Sequence, residues 1–257
     1  MQKAVVITGC SSGIGLTAAN DLLQRGYRVL ATCRKTEDVE RMNQLGFTGI
    51  QLDLNDEQSV EQAARQILAA CDNRLYALFN NGGYGLYGPL QSVTRRQLEQ
   101  QFATNLFGTH QLTRCLLPAM LAHGEGRIIS TSSVMGLIST AGRGAYAASK
   151  YALEAWNDAL RHELHGSGIR VSLIEPGPID TRFSDNVNQT QRDKPVQNPG
   201  IAARFTLPAT AILPALRHAL ESHHPRLRYP VTLVSWGITF LLRLLPATIM
   251  DMILRVK

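Results

Sequence analysis

Thr8-Gly9-Cys10-Ser11-Ser12-Gly13-Ile14-Gly15 follows four consecutive apolar residues, Ala4 to Ile7, and leads into a stretch rich in small and apolar side chains. Glycines spaced GxxxGxG let the chain turn sharply and let a ligand approach the backbone with no Cβ in the way. With a buried strand before the turn and a helix after it, free N–H groups and the positive end of the helix dipole would attract an anion such as a pyrophosphate. The spacing is not the GxGxxG of the general dinucleotide fingerprint, and glycines alone carry little weight. Their place between strand and helix makes a nucleotide-binding turn a better reading than an ordinary connection.

Outward from that turn the same alternation continues. Apolar runs at 4–8, 28–32, 49–52, 77–80, 127–131 and 170–174 read as strands, with helical patterns at 14–24, 57–70, 97–121 and 146–165 between them. Strands apolar on both faces and separated by helices indicate βαβ crossovers and a buried parallel sheet. The expected fold class is therefore α/β, a single doubly wound Rossmann-type parallel sheet with helices on both faces, spanning residues 1–257. Two segments break the rhythm. Residues 176–204 hold Pro176, Pro178, Pro195 and Pro199 without clear periodicity, and a loop of that length reads as a functional element, here a substrate lid at about 177–206. The apolar C-terminal stretch, a helix expected at about 231–255, is interrupted by Arg243 and Pro246. It reads as a packed, dimer-forming or membrane-surface helix rather than a span.

The net charge is +6, but the basic residues are scattered, Arg34-Lys35 and Arg95-Arg96 being the longest runs. No stripe for nucleic acid forms, and a mildly basic enzyme with an anionic cofactor explains the charge as well. Cys10, Cys33, Cys71 and Cys115 include no CxxC pair, and neither they nor the histidines show ligand spacing, so no metal is expected and a reducing compartment is. Four apolar residues at the N-terminus are too few for the apolar region of a signal peptide. The expected location is the cytoplasm.

The second strand ends in Arg34-Lys35. An acidic residue there would suit ribose hydroxyls, whereas arginine suits a 2′-phosphate through planar, charge-assisted hydrogen bonds, with Lys35 adding a second charge. NADP(H) is thus expected over NAD(H). Asp53 and Leu54, after the third strand, are placed to meet the adenine, although Asp53 could equally cap the helix beginning near Asp56.

With TGCSSGIG at 8–15, NNGG at 80–83, Asn105, the pair Ser132-Ser133, YAASK at 146–150 and PGPIDT at 176–181 in this order, the chain resembles the short-chain dehydrogenase/reductase family over nearly its whole length. It is most similar to bacterial NADP-dependent aldehyde or ketone reductases, and similar to steroid and retinol dehydrogenases. On a helix Tyr146 and Lys150 share a face. Alone, that pair would read as a packed tyrosine and a solvated lysine. In this setting the cation is expected to lower the phenol pKa from its ordinary value near 10 toward the working range, so that Tyr146 serves as general acid or base. The resemblance further implies that Ser133 polarises the substrate carbonyl, that Lys150 also binds the nicotinamide ribose, and that Asn105 holds a water in the proton path. It assigns cofactor binding to Gly9, Ser11, Ser12, Gly13, Ile14 and Gly15, to Asn81, Gly82 and Gly83, and to Pro176, Gly177, Ile179 and Thr181 beside the carboxamide. Gly82 stands where the family usually has alanine, and a more mobile loop is expected there.

Tyr84, Leu86, Tyr87, residues 134–137, Phe183 and the lid read as apolar pocket walls, which favour a small lipophilic carbonyl substrate. Arg143 and Arg182 are as readily solvent-facing as substrate-binding. Reduction is the expected direction, since cells keep NADPH reduced. Two readings compete with a carbonyl reductase: a dehydrogenase of lipophilic alcohols with a peripheral membrane contact through the C-terminal helix, and a non-catalytic NADP(H) sensor. The helices at 97–121 and 146–165 are, by resemblance, a homodimer or homotetramer surface.

Overall fold

A computed structural model describes residues 2–181, 183 and 205–255. β1 (Ala4–Ile7) is buried at every position, as a strand covered on both faces must be. Its chain runs through the glycine turn into α1 (Gly13–Gln24), β2 (Arg28–Cys33), α2 (Thr36–Gln44), β3 (Thr48–Gln51), α3 (Glu57–Ala70) and β4 (Leu75–Asn80). There follow α4 (Arg95–Phe102), a π-helical turn (Ala103–Phe107), α5 (Gly108–His123), β5 (Gly126–Thr131), α6 (Gly144–Glu163) and β6 (Ile169–Glu175). The short β7 (Ile179–Asp180) pairs with β8 (Leu207–Pro208) outside the main sheet. Then come α7 (Leu213–Glu221), β9 (Arg228–Pro230), α8 (Leu233–Leu244) and α9 (Ala247–Leu254).

Seven of the described strands form one parallel sheet in the order β3-β2-β1-β4-β5-β6-β9. Alternate residues feed two cores. Val6, Leu30, Leu78 and Ile128 pack under α3 and α5 with Leu112 and Leu116, while Val5, Ile7, Phe79 and Ile129 pack under α1 and α7 with Leu22 and Leu216. The expected doubly wound α/β fold is what the chain forms. Strand order reverses between β1 and β4, and the crevice beyond the carboxyl ends of those strands is where such sheets take ligands.

Boundaries moved where capping outweighs periodicity. The helix expected from 97 begins at Arg95, because Thr94 and Gln97 form a reciprocal capping box. It is interrupted by the π-helical turn at Ala103–Phe107. α2, α7 and β9 were not anticipated; α2 carries a strongly polar face and one fully buried residue, Met42. The single helix expected at 231–255 is instead two, because Pro246 offers no N–H and holds Leu245 extended, with φ −100 and ψ 137. No helix among the described residues is long and apolar enough to cross a membrane. Most of the expected lid, and Arg182, lie outside the described residues.

Candidate active site

The glycine turn sits at the switch point between β1 and β4. Gly9 takes φ +73, and a Cβ there would come 2.9 Å from Gly82 Cα, so the two loops touch backbone to backbone. A Cβ on Gly15 would run into the Gly9 carbonyl; the turn is that tight. Ser12 caps α1 without a side-chain hydrogen bond, and the first helical turn carries no acidic residue. The N–H groups of Gly13, Ile14 and Gly15 thus end a 12-residue helix with its positive pole toward the crevice. Thr181 lies across from it, 3.1 Å from the position a Gly13 Cβ would take. The turn therefore leaves its backbone bare toward the crevice, with Thr181 facing it.

Asn81 ties the strand ends together. Its N–H donates to Thr8 Oγ1 at 2.9 Å and its Nδ2 to the Thr8 carbonyl at 3.0 Å, while Thr131 Oγ1 donates to its Oδ1 at 3.2 Å. Gly82 does not loosen this loop. Its N–H donates to Thr8 Oγ1 at 2.7 Å, and Leu54 Cδ1 comes 2.9 Å from where a Cβ would sit. The missing methyl makes room for Leu54.

Arg34 and Lys35 are exposed at the end of β2, where a 2′-phosphate could be met from solvent. Arg41, which sequence reasoning missed, reaches back from α2 to donate to the Ser11 carbonyl at 2.6 Å and pairs with Asp38 at 2.9 Å. Its only sequence signal was a basic residue two turns into an unrecognised helix. Asp53 is not the helix cap: Asp56 accepts from the N–H groups of Gln58 and Ser59. Asp53 Oδ1 accepts from Asn55 N–H at 2.9 Å, which holds the loop beside Leu54.

On α6, Tyr146 and Lys150 are both buried, at 6% and 5% exposure. Lys150 Nζ lies 5.9 Å from the Tyr146 ring centroid and donates to the Thr131 carbonyl at 2.7 Å. The Ser133 hydroxyl accepts from Met135 N–H at 3.1 Å and hydrogen-bonds Tyr146, easing the phenol toward ionisation. That help is outweighed. Burial and then Tyr87 push the Tyr146 phenol well above its ordinary value, the reverse of the lowered value expected from sequence. The same burial pulls Lys150 down to about 8, with Glu154 acting against the fall. An apolar shell costs both charged forms more than the distant pair returns.

Asn105, 1% exposed, spends its side chain on the 81–88 loop. Its Oδ1 accepts from Tyr84 N–H at 3.1 Å, and its Nδ2 donates to the Tyr84 carbonyl and to Ser149 Oγ, each at 3.0 Å. Gln101, also missed, repeats the clasp one turn earlier, accepting from Leu86 N–H at 2.6 Å and donating to the Tyr84 carbonyl at 2.8 Å. Asn105 thus clamps the loop at Tyr84 to α6 at Ser149.

Tyr146 is walled by Tyr87, at 5.8 Å between ring centroids, and Phe183 at 5.5 Å. Val134, Met135, Ile138 and Met250 belong to the same buried cluster, against which Ile238, Leu241, Leu245 and Leu254 pack. The C-terminal helices are thus part of the site, which the sequence left open. Arg143 stacks over Tyr87 at 5.3 Å. Among the described residues no group of three His, Cys, Asp or Glu is placed to hold a metal ion.

Residues 3–192 match the family profile described as short chain dehydrogenase. Over 255 residues the chain is 66% identical to the uncharacterized oxidoreductase YbbO of Escherichia coli (strain K12), covering 99% of this chain and 95% of that protein. Over 281 residues it is 34% identical to retinol dehydrogenase 5 of Homo sapiens, covering 97% and 87%. Among solved structures, the closed form of serine dehydrogenase complexed with NADP+ superposes with a TM-score of 0.77 at 26% identity, over 90% of this chain and 95% of that one.

Proposed function

The chain belongs to the short-chain dehydrogenase family, and from that premise we propose that it is an NADPH-dependent oxidoreductase that reduces lipophilic aldehydes or ketones to alcohols. One observation carries the reading: the hydroxyls of Ser133 and Tyr146 meet inside an apolar enclosure of Tyr87, Val134, Met135 and Phe183. Two hydroxyl donors in apolar walls suit a single polarised oxygen on an otherwise apolar molecule. Ser133 would hold the carbonyl oxygen, and Tyr146, kept protonated by its burial, would donate to it as negative charge develops. An alkoxide is a stronger base than a phenolate, so a weakly acidic phenol suffices. Lys150, positive beneath the ring, would offset the charge left on the tyrosine.

Bound NADPH would supply the hydride. The shape of the glycine turn fits its pyrophosphate, with Gly9, Ser11, Ser12, Gly13, Ile14 and Gly15 as the cradle. Arg34, Lys35 and Arg41 would meet the 2′-phosphate, Asp53 and Leu54 the adenine, and Asn81, Gly82, Gly83 and Lys150 the nicotinamide side. Pro176, Gly177, Ile179 and Thr181 would close against the carboxamide. The NADP+ complex of serine dehydrogenase supports the choice of cofactor, and the likeness to a retinol dehydrogenase supports a lipophilic substrate.

A dehydrogenase of lipophilic alcohols at a membrane surface is the second reading. It is favoured by the exposed outer face of α8, where Leu233, Trp236, Phe240 and Leu244 lie at helical spacing while the inner face packs against the buried cluster of Tyr146. We place the protein in the cytoplasm, as free thiols at all four cysteines suit, and as a homodimer or homotetramer through the outer faces of residues 97–121 and of α6, where Phe107 of the π-helical turn and Tyr151 are exposed. The test follows NADPH oxidation over aliphatic and aromatic aldehydes, ketones, steroids and retinal. Turnover is expected on apolar carbonyls; measurable NADPH binding with no turnover on any of them would leave a sensor instead.

A further inference from the structure

Glu154 stands one turn beyond Lys150 on α6, extending the face that carries Tyr146 and Lys150. It is 6% exposed, an uncommon setting for a carboxylate without a reason. Its Oε2 lies 3.2 Å from Arg228 Nε of β9. Arg228 Nε is also 3.1 Å from Glu175 Oε1 at the end of β6, and Arg228 Nη2 is 2.6 Å from Asp158 Oδ2. The other oxygen of Glu154 faces the underside of the turn that carries Ser133. A Cβ added to Gly136 would fall 3.3 Å from Glu154 Oε1 and 2.7 Å from Ser132 Oγ, and neither oxygen has a well-formed hydrogen bond. A buried carboxylate thus spans from the catalytic side of α6 to an arginine that reaches solvent.

The charges around it are few. Lys150 and Asp158 act with it along α6, where Arg161 pairs with Asp158; Glu175 acts from β6, Arg228 from β9, and Arg243 of α8 acts on Glu175. Lys150 itself meets the Thr131 carbonyl, Tyr146 and the neutral loop held by Asn105. Among the described residues, Glu154 is the acidic group that acts on it.

We propose that Glu154 is a positioning residue of this site: braced by Arg228, its carboxylate holds the Lys150 amine in the charged form beneath Tyr146. Burial raises the Glu154 carboxyl above its ordinary value, and Ser132 and then Arg228 act against that rise and favour the carboxylate. Burial pulls Lys150 down to about 8 and Glu154 alone pulls it back. Without that carboxylate a larger share of the amine would be neutral above pH 7, and it would bring less positive charge to the tyrosine. This inference rests on the reductase reading given above.

Glu154→Gln keeps the shape and removes the charge; Glu154→Asp keeps the charge. A buried opposite charge one helical turn away can shift a pKa by about one unit, so the alkaline limb of kcat/KM, expected near 8 with Lys150, should fall by about one unit in Glu154→Gln. That is roughly a five- to tenfold loss at pH 8 with little change at pH 6. Glu154→Asp should keep the wild-type limb. The side-chain 15N titration of Lys150 in the free enzyme should move with the limb, and it needs no turnover. A wild type inactive on every carbonyl would therefore sink the reductase reading while the nitrogen titration still decides this one. An unmoved limb and amine in Glu154→Gln, an equal loss at every pH, or an Asp variant that behaves as the Gln variant overturns the proposal. So does a wild-type Lys150 amine titrating at the ordinary lysine value, which requires no variant to fold.

Discussion

Replacing Glu175 by Gln should stabilise the protein, increasingly so as pH rises. Glu175 is wholly buried at the point where β6 ends, and the C-terminal segment docks on it: its carbonyl accepts from Ser235 Oγ at 2.7 Å and from Val231 N–H at 3.3 Å. Burial first, and then the neighbouring Glu154, push its carboxyl from 4.5 to about 7, against the pull of Arg228. A group whose native pKa lies above its unfolded value adds stability that is fully present below pH 4.5 and lost as pH rises through about 7. At about 1.4 kcal/mol per unit that interval amounts to roughly 3 kcal/mol, of which about 2 kcal/mol is lost between pH 5 and pH 8. Glutamine mimics the protonated acid and cannot ionise. For a chain of this size each kcal/mol moves Tm by roughly 2–4 °C. Melting curves of the two proteins should therefore nearly coincide at pH 5 and separate by about 4–8 °C at pH 8, the variant being higher. A separation independent of pH, or a variant less stable at pH 8, would mean that Glu175 ionises at no cost and that Arg228 compensates it in full.

Tyr146→Phe should cut turnover on any accepted carbonyl by roughly 10²–10⁴-fold, with the NADPH dissociation constant from fluorescence quenching nearly unchanged; a large affinity loss would contradict its assigned role. Arg34→Asp should move the NADPH-to-NADH ratio of kcat/KM toward NADH by about tenfold or more, and an unchanged ratio removes Arg34 from the site. Asn81→Ala deletes two side-chain bonds, to Thr8 and Thr131, and should lower stability by on the order of 1–3 kcal/mol in chemical denaturation. An unperturbed midpoint would show that the strand ends hold together without it.

Much of the site was legible because its logic is local. The turn at 8–15 needs glycines at particular places for steric reasons that hold in any fold, and a four-residue spacing on a helix puts Tyr146 and Lys150 on one face wherever that helix packs. Boundaries fared less well. Thr94 and Gln97 close a capping box that starts α4 ahead of the apolar pattern, and Pro246 divides a stretch whose hydrophobicity is continuous. Which atoms a side chain meets was not legible either, as when Asn105 turns its amide to Tyr84.

From the residues in order came the parallel α/β architecture, the glycine turn and the shared face of Tyr146 and Lys150, since strand burial, glycine sterics and helical register all act over a few neighbouring positions. Folding alone decided the rest: that Met250 would join the buried cluster of Tyr146, that Arg41 would reach Ser11, and that Arg228 would meet Glu154 from 74 positions away. The ionisation of Tyr146 and Lys150 belongs to that second class. Charge in a protein interior is governed by how much water the packing removes, and no stretch of sequence states which distant side chains will remove it.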